Sequence, residues 1–360
     1  MQSSVQIPLW TVAAPIFAGA VLLAAGVGAG GPFMTALIAL ALAGSVFAAV
    51  HHAEGVAHRT GEPFGTLVLA LAVTLIEVAL IVSLMSAGGE EAAGLARDTV
   101  FAAVMIILNG IIGLCLLVGG VKHRQQSFSL EGVSAALVAL GTIVIMTLVF
   151  PNYTVTAAGP YYSPSQLALI AIVTIVIYGA FVFTQTVAHR QFFLHDVAEE
   201  STPGTAPPSN MVVALNSLLL LFCLGAVVLL AKKLAPSLEA AVSAVGAPNA
   251  VVGVIIAAIV LLPEGLAALR AARANHLQTS LNLALGSALA TIGLTIPAVG
   301  FLSLYTHTHL QLGIDAKSTL LLVLSLFITA QVLRTGRTII LHGIVLLTIF
   351  VVYLFTTVVP

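Results

Sequence analysis

Apolar runs, each long enough to cross about 30 Å of hydrocarbon, follow one another along almost the whole of this sequence. They fall at about 8–28, 32–57, 63–87, 98–121, 131–150, 164–188, 211–231, 249–271, 277–304, 318–334 and 338–358. In a bilayer interior every backbone polar group must be satisfied internally, and runs of this length achieve that as helices. The expected fold is therefore an all-α polytopic membrane protein with about eleven transmembrane helices. Its charge content agrees: 7% of residues are charged and 60% hydrophobic, whereas roughly a quarter of a soluble domain is charged. Twelve basic residues against thirteen acidic ones leave no electrostatic footprint for nucleic acid. The opening residues MQSSVQ lack a positive n-region, and the run after them is too long for a signal-peptide core, so the first run is expected to be a retained span. Cys115 and Cys223 both lie inside apolar runs and read as small hydrophobes.

Two of the runs each carry one interior acid. Glu77 lies in EPFGTLVLALAVTLIEVALIVSLM and Glu264 in NAVVGVIIAAIVLLPEGLAALRAAR, each fifteen positions after the start of its stretch. Both acids are thus about 22 Å along a helix, near the bilayer middle. An ionised carboxylate at that depth costs several kcal/mol, so it points to function, and no Lys or Arg at comparable depth offers a structural pairing. Pro263 beside Glu264 removes a backbone donor and frees carbonyl oxygen next to the carboxylate. A hard cation prefers such oxygens.

Basic residues set the expected orientation. With the N-terminus cytosolic and the C-terminus outside, the inner loops hold Arg59, Lys122, Arg124, Arg190, Arg270, Arg273, Arg334 and Arg337, and the outer ones Arg97, Lys232, Lys233 and Lys317. On this topology the helices of Glu77 and Glu264 run in opposite directions, as an inverted repeat requires. The expected organisation is an extra N-terminal helix (1–30), a first five-helix repeat (31–189), a cytosolic linker rich in acids and proline (190–210) and a second five-helix repeat (211–360). Asp196, Glu199 and Glu200 in the linker read either as a cation sensor or as a solvated acidic run.

Further residues are candidates for support. The span after each acid-bearing run places polar groups among small ones: Asn109, Gly110 and Gly113 in the first half, and Asn282, Gly286, Ser287 and Thr291 in the second. Amide and hydroxyl oxygens there, and at Thr74 one turn before Glu77, suit cation ligation or interhelical bonding. In HHAEGVAH, His51, Glu54 and His58 share one helix face near the inner end of their span, where they can relay protons or simply tolerate the interface. A zinc hydrolase built on that face would need ligands that the rest of the sequence does not supply. There is no GxxxxGK[ST] loop for ATP and no HExxH, so no enzyme and no cofactor are expected.

The stretches HAEGVAHRTGEPFGTLVLALAVTLIEVALIVSLM and LLPEGLAALRAARANHLQTSLNLALGSALATIGLTIPAV closely resemble the bacterial ChaA-type calcium and sodium/potassium proton antiporters of the cation/calcium exchanger superfamily. The resemblance extends along nearly the whole chain. It implies one extra helix plus two inverted five-helix repeats, an inner-membrane location, and Glu77 and Glu264 as the acids that bind cation and proton alternately. Calcium/proton exchangers of the wider superfamily carry GNxxE before each acid. Here Val73 and Thr74, and Val260 and Leu261, stand at those positions, so two amide oxygens are missing.

The expectation is secondary antiport of Ca²⁺, with Na⁺ or K⁺ as further cargo, against H⁺ at Glu77 and Glu264. Thr74, Asn109, Pro263, Asn282 and Ser287 would support the site. A passive cation channel using the same acids is the rival, and the partners are membrane lipid and inorganic ions.

Overall fold

The computed structural model describes residues 8–26, 31–60, 64–88, 93–193, 209–244, 246–248 and 250–359. The apolar runs become α1 (Leu9–Gly26), α2 (Pro32–Thr60), α3 (Phe64–Gly88), α4 (Leu95–Met105), α5 (Ile112–His123), α6 (Leu130–Val144), α7 (Pro164–Phe183), α8 (Asn210–Ala244), α9 (Ala250–Arg273), α10 (Leu277–Thr306), α11 (Ala316–Leu333) and α12 (Ile340–Val358). α4 and α5 form one rod through a π-helical segment, Ile106–Ile111, and the π segments Ile145–Val149 and Thr184–Ala188 extend α6 and α7. Among the described residues ten helices are long and apolar enough to cross a membrane, the α4–α5 rod counting once, and Leu71–Ser83 of α3 is a shorter apolar helix. The all-α polytopic class is as expected.

Local chemistry sets several ends. At the start of α7 the Ser163 hydroxyl accepts from the Gln166 backbone N–H while the Gln166 side chain accepts from the Ser163 N–H, a capping box that leaves two donors satisfied. Asp315 caps α11 by accepting from Ser318 N–H, and α10 stops where His307 turns left-handed at φ 54°. One boundary differs from expectation. α8 was expected to end near 231 but continues through Lys232, Lys233 and Pro236 to Ala244. Hydropathy marks where the hydrocarbon ends, whereas a helix of Lys, Leu, Glu and Ala continues on its own propensity.

The chain divides into two compact units, Met1–Ala87 with Asp196–Ala241, and Gly88–His195 with Val242–Pro360. These units follow packing, a different partition from the expected repeats 31–189 and 211–360. In the first unit, α2 and α8 are tied at both ends: Arg59 Nη2 donates to Asn210 Oδ1 at 2.8 Å, and Thr35 Oγ1 to Ser237 Oγ at 3.5 Å. The two helices are therefore antiparallel. α1 joins them through His52 of α2, described below.

In the second unit glycines let backbones meet. A Cβ on Gly253 of α9 would come within 3.0 Å of the Asp98 carbonyl carbon in α4, and one on Gly343 of α12 within 2.4 Å of Leu117 N in α5. α10 lies against α7 in the same way, with Gly293 under the Tyr178 ring. At one end of the unit, Gln126 and Ser127 pair with Thr338 and Arg337 in a two-residue antiparallel ladder. Gln126 Nε2 donates there to Ala272 O at 2.9 Å, and Lys122 Nζ to Arg273 O at 2.9 Å. The same end gathers Lys122, Arg124, Arg190, Arg270, Arg273, Arg334 and Arg337. At the other end Tyr161 bridges Gln311, Asn152 donates to Ile314 O, and the basic residues are Arg97 and Lys317.

Candidate functional site

Glu77 and Glu264 belong to different units, and each has its own surroundings. On α3 the buried residues Val73, Thr74, Ile76, Glu77, Leu80 and Ile81 recur at three- and four-residue steps, while Leu71 and Leu75 are exposed. Glu77 therefore sits on the packed stripe of its helix, 2% exposed, with Thr74 one turn away on the same stripe. It is thirteen residues into a 25-residue helix, about 20 Å from its start. An acid at that place, with its helix's apolar outer face on the far side, is held inside protein rather than against lipid.

Glu264 lies fourteen residues into α9 and nine before its end. The residue is half-buried as a whole, yet both carboxylate oxygens are withdrawn from solvent. α9 runs without interruption through Pro263, so the proline does not open the helix as a gap. It removes one hydrogen bond, the one its nitrogen would have donated to the Ile259 carbonyl, one turn away. Gly265, next to the acid, brings α9 onto the π segment: an added Cβ would meet Ile111 Cδ1 at 3.2 Å.

That π segment carries Asn109, fully buried. Its Nδ2 donates to Ser325 Oγ of α11 at 2.9 Å and to Met105 O at 3.3 Å, while Oδ1 has no hydrogen-bond partner among the described residues. A buried amide with its donors engaged and its oxygen unused has the character of a neutral oxygen ligand, and π segments recur at functional sites. Ser325 is a member of this cluster that sequence reasoning missed. Its one signal was a hydroxyl inside an apolar run, with Thr329 one turn on and also buried.

α10 returns antiparallel to α9 across the turn 274–276, so depth can be compared. Glu264 is nine residues, about 14 Å, from the inner end of α9, which is level with Gly286 and Ser287 of α10. Asn282 is about 6 Å nearer that end, and both of its groups are engaged: Nδ2 donates to Phe193 O at 2.6 Å and Oδ1 accepts from Gln278 Nε2 at 2.9 Å. The structure thus brings Asn282 to a corner joint rather than to the level of the acid. Ser287 is half-buried and Thr291 buried; Gly110 and Gly113 pack against Phe350 and Leu346 of α12.

Of the expected relay, His51 and Glu54 approach at 4.0 Å with side chains 36% and 48% exposed, and the His58 side chain lies outside the described residues. The buried histidine is His52. Its Nδ1 meets Asn216 Oδ1 of α8 at 2.8 Å and its Nε2 meets Thr11 O of α1 at 3.1 Å. Asn216 in turn lies over Gly55, where a Cβ would fall 2.7 Å from its amide nitrogen. Asp196, Glu199 and Glu200 lie outside the described residues. Among the described residues no cluster of three His, Cys, Asp or Glu could hold a metal ion.

The sodium/calcium exchanger protein family matches residues 30–187 and 215–359. A protein of Sinorhizobium fredii (strain NBRC 101917 / NGR234), y4hA, provisionally named an ionic transporter, is 47% identical over 99% of this chain and 98% of its own length. The sodium-potassium/proton antiporter ChaA of Escherichia coli (strain K12) is 38% identical over 90% of this chain and 89% of its own. A crystal structure of the H⁺/Ca²⁺ exchanger CAX superposes with a TM-score of 0.74, covering 96% of this chain and 87% of that one at 15% identity, a likeness that speaks to the fold alone.

Proposed function

Because this chain belongs to the sodium/calcium exchanger protein family, and is a membrane transporter rather than an enzyme, we propose that it exchanges cytosolic Ca²⁺ for H⁺, with Na⁺ and K⁺ as competing cargo, at a site shared by Glu77 and Glu264. The observation that carries this reading is the burial of two carboxylates midway along apolar helices. Protonated, each is neutral and tolerated in apolar surroundings. A cation that displaces the protons restores neutrality another way, so each ligand expels the other and exchange follows from competition.

Two carboxylates match one Ca²⁺ charge for charge, which makes one Ca²⁺ for two H⁺ a locally neutral swap. Ca²⁺ takes about six to eight oxygens in flexible geometry, and Asn109 Oδ1, the Thr74 and Ser287 hydroxyls and the Ile259 carbonyl freed by Pro263 are the neutral donors proposed here. Thr74 and Leu261 in place of two amides weaken the preference for a divalent ion. A specific observation favours the second reading, a primarily Na⁺(K⁺)/H⁺ antiporter: the Escherichia coli relative carries that name at 38% identity. The organisation proposed with the mechanism is an extra helix and two inverted repeats, 31–189 and 211–360, in the inner membrane. The end of the second unit that gathers seven basic residues would face the cytosol, with the N-terminus cytosolic and the C-terminus outside.

Inverted vesicles with a preformed proton gradient test this reading. Ca²⁺, Na⁺ and K⁺ added separately should each dissipate the gradient, and saturating Ca²⁺ should suppress the response to Na⁺. A channel would let cation move only down its own gradient. Failure of an imposed proton gradient to drive Ca²⁺ or Na⁺ uphill rejects antiport, and Na⁺ exchange indifferent to saturating Ca²⁺ rejects the shared site.

A further inference from the structure

Within the first unit, a cleft of about 500 Å³ opens between α1 and α8, lined by Leu22, Leu229, Lys232, Lys233 and Pro236. Its depth in the bilayer follows from the ties on α8. Lys232 is 22 residues beyond Asn210, about 33 Å along the helix, while the hydrocarbon core is about 30 Å thick. Asn210 is held by Arg59 at one interface, so the lysine pair lies at the other, just short of the Ser237–Thr35 tie. Leu229 sits one turn nearer the bilayer middle and is exposed. The cleft therefore has an apolar wall toward the hydrocarbon and two ammonium groups at headgroup level. No acid is among its described lining residues, and α1 contains no charged residue at all.

Pro236 adds a second kind of recognition. In an uninterrupted helix its nitrogen would donate to the carbonyl four residues back, and that carbonyl belongs to Lys232. The proline thus leaves the Lys232 carbonyl without that N–H, on a residue that lines the same cleft. A ligand that fits must bring an anionic oxygen for the lysines, a hydroxyl donor for the carbonyl and a hydrocarbon chain for Leu22 and Leu229. We propose that this cleft binds an anionic phospholipid whose headgroup carries a free hydroxyl, of the phosphatidylglycerol class. The proposal does not rest on the antiport reading.

The test is native mass spectrometry of the purified full chain equilibrated with phosphatidylglycerol, phosphatidic acid or phosphatidylcholine. Phosphatidylglycerol should be retained in preference to phosphatidylcholine, and Lys232→Gln with Lys233→Gln should lower that preference about 30-fold, equivalent to about 1 kcal/mol per lysine. Lys232→Arg with Lys233→Arg should keep it, which separates loss of charge from loss of fold. Pro236→Ala returns an N–H to the Lys232 carbonyl. It should preserve the preference for anionic lipid while removing that for phosphatidylglycerol over phosphatidic acid. Equal retention of phosphatidylglycerol by the wild-type and double Gln proteins overturns the site. Displacement of the lipid by millimolar inorganic phosphate would identify a free-anion site and overturn the lipid assignment.

Discussion

Replacing Gly343 by alanine tests whether the second unit is held by contact between backbones. The new Cβ would lie 2.4 Å from Leu117 N, 2.7 Å from Leu117 Cα and 2.7 Å from Gly113 O, all backbone atoms of α5. Ordinary contact begins near 3.4 Å, so α12 must retreat from α5 by about 1 Å at this point, the difference between 3.4 and 2.4 Å. A gap of that size forfeits roughly a quarter to a half of the dispersion attraction of each contact it opens. Neighbouring close approaches would open with it, because a Cβ added at Gly113 would lie 3.1 Å from Leu347 N and one at Gly120 3.0 Å from Ile340 N, on the same interface. Overpacking costs about 1–3 kcal/mol, and rigid backbone on both sides places this case at the upper end. Against that, alanine is favoured over glycine within a helix by roughly 0.5–1 kcal/mol. The net expectation is a loss of about 2 kcal/mol, which is about thirtyfold in the ratio of folded to unfolded protein. Gly179→Ala in α7, where an added Cβ meets nothing within 4 Å, should instead be neutral or stabilising. Unfolding of both variants by a graded denaturing detergent, followed by circular dichroism, gives the comparison. If Gly343→Ala proves as stable as Gly179→Ala, the α5–α12 interface does not depend on close backbone approach.

Glu77→Gln and Glu264→Gln should each abolish proton-coupled exchange in vesicles while the protein remains inserted and folded, since an amide imitates the protonated acid but cannot cycle its charge; substantial exchange by either variant removes that acid from the mechanism. Joint replacement of His51, Glu54 and His58 should slow transport or shift its pH profile with little change in cation affinity, and unaltered rates from about pH 6 to 9 would reduce the cluster to an interfacial one. A reporter fused after Pro360 should be active outside the cytosol; activity confined to the cytosol reverses the proposed orientation.

The helices were legible because hydropathy over twenty residues is a property of sequence alone, and Glu77 and Glu264 stood out because each contradicted its surroundings. What escaped reading depended on partners far along the chain. Asn109 and Ser325 are 216 residues apart, and nothing in either run names the other. Helical spacing put His51, Glu54 and His58 on one face, but which face is buried is decided by α1 and α8, and they enclose the adjacent His52. Asn282 shared a face with Gly286, as its spacing implied, yet its amide was claimed by Phe193 and Gln278 at the end of the helix. The end of α8 was misplaced for a different reason: hydropathy reports the solvent around a helix and not the helix itself.

The π segment Ile106–Ile111 has a consequence for chain length. Its turn closes hydrogen bonds over five residues rather than four, so the α4–α5 rod contains one amino acid more than an uninterrupted α-helix of equal axial length. Both ends of the rod are fastened elsewhere, Arg97 to the Gly313 carbonyl and Lys122 to the Arg273 carbonyl. A single-residue deletion inside the segment could therefore relax to plain α-helix with both ends still in place. The turn of the helix that presents Asn109 to Ser325 would be lost. The length of this stretch is matched to the direction in which one amide points, and the thickness of the membrane alone would have been met by one residue fewer.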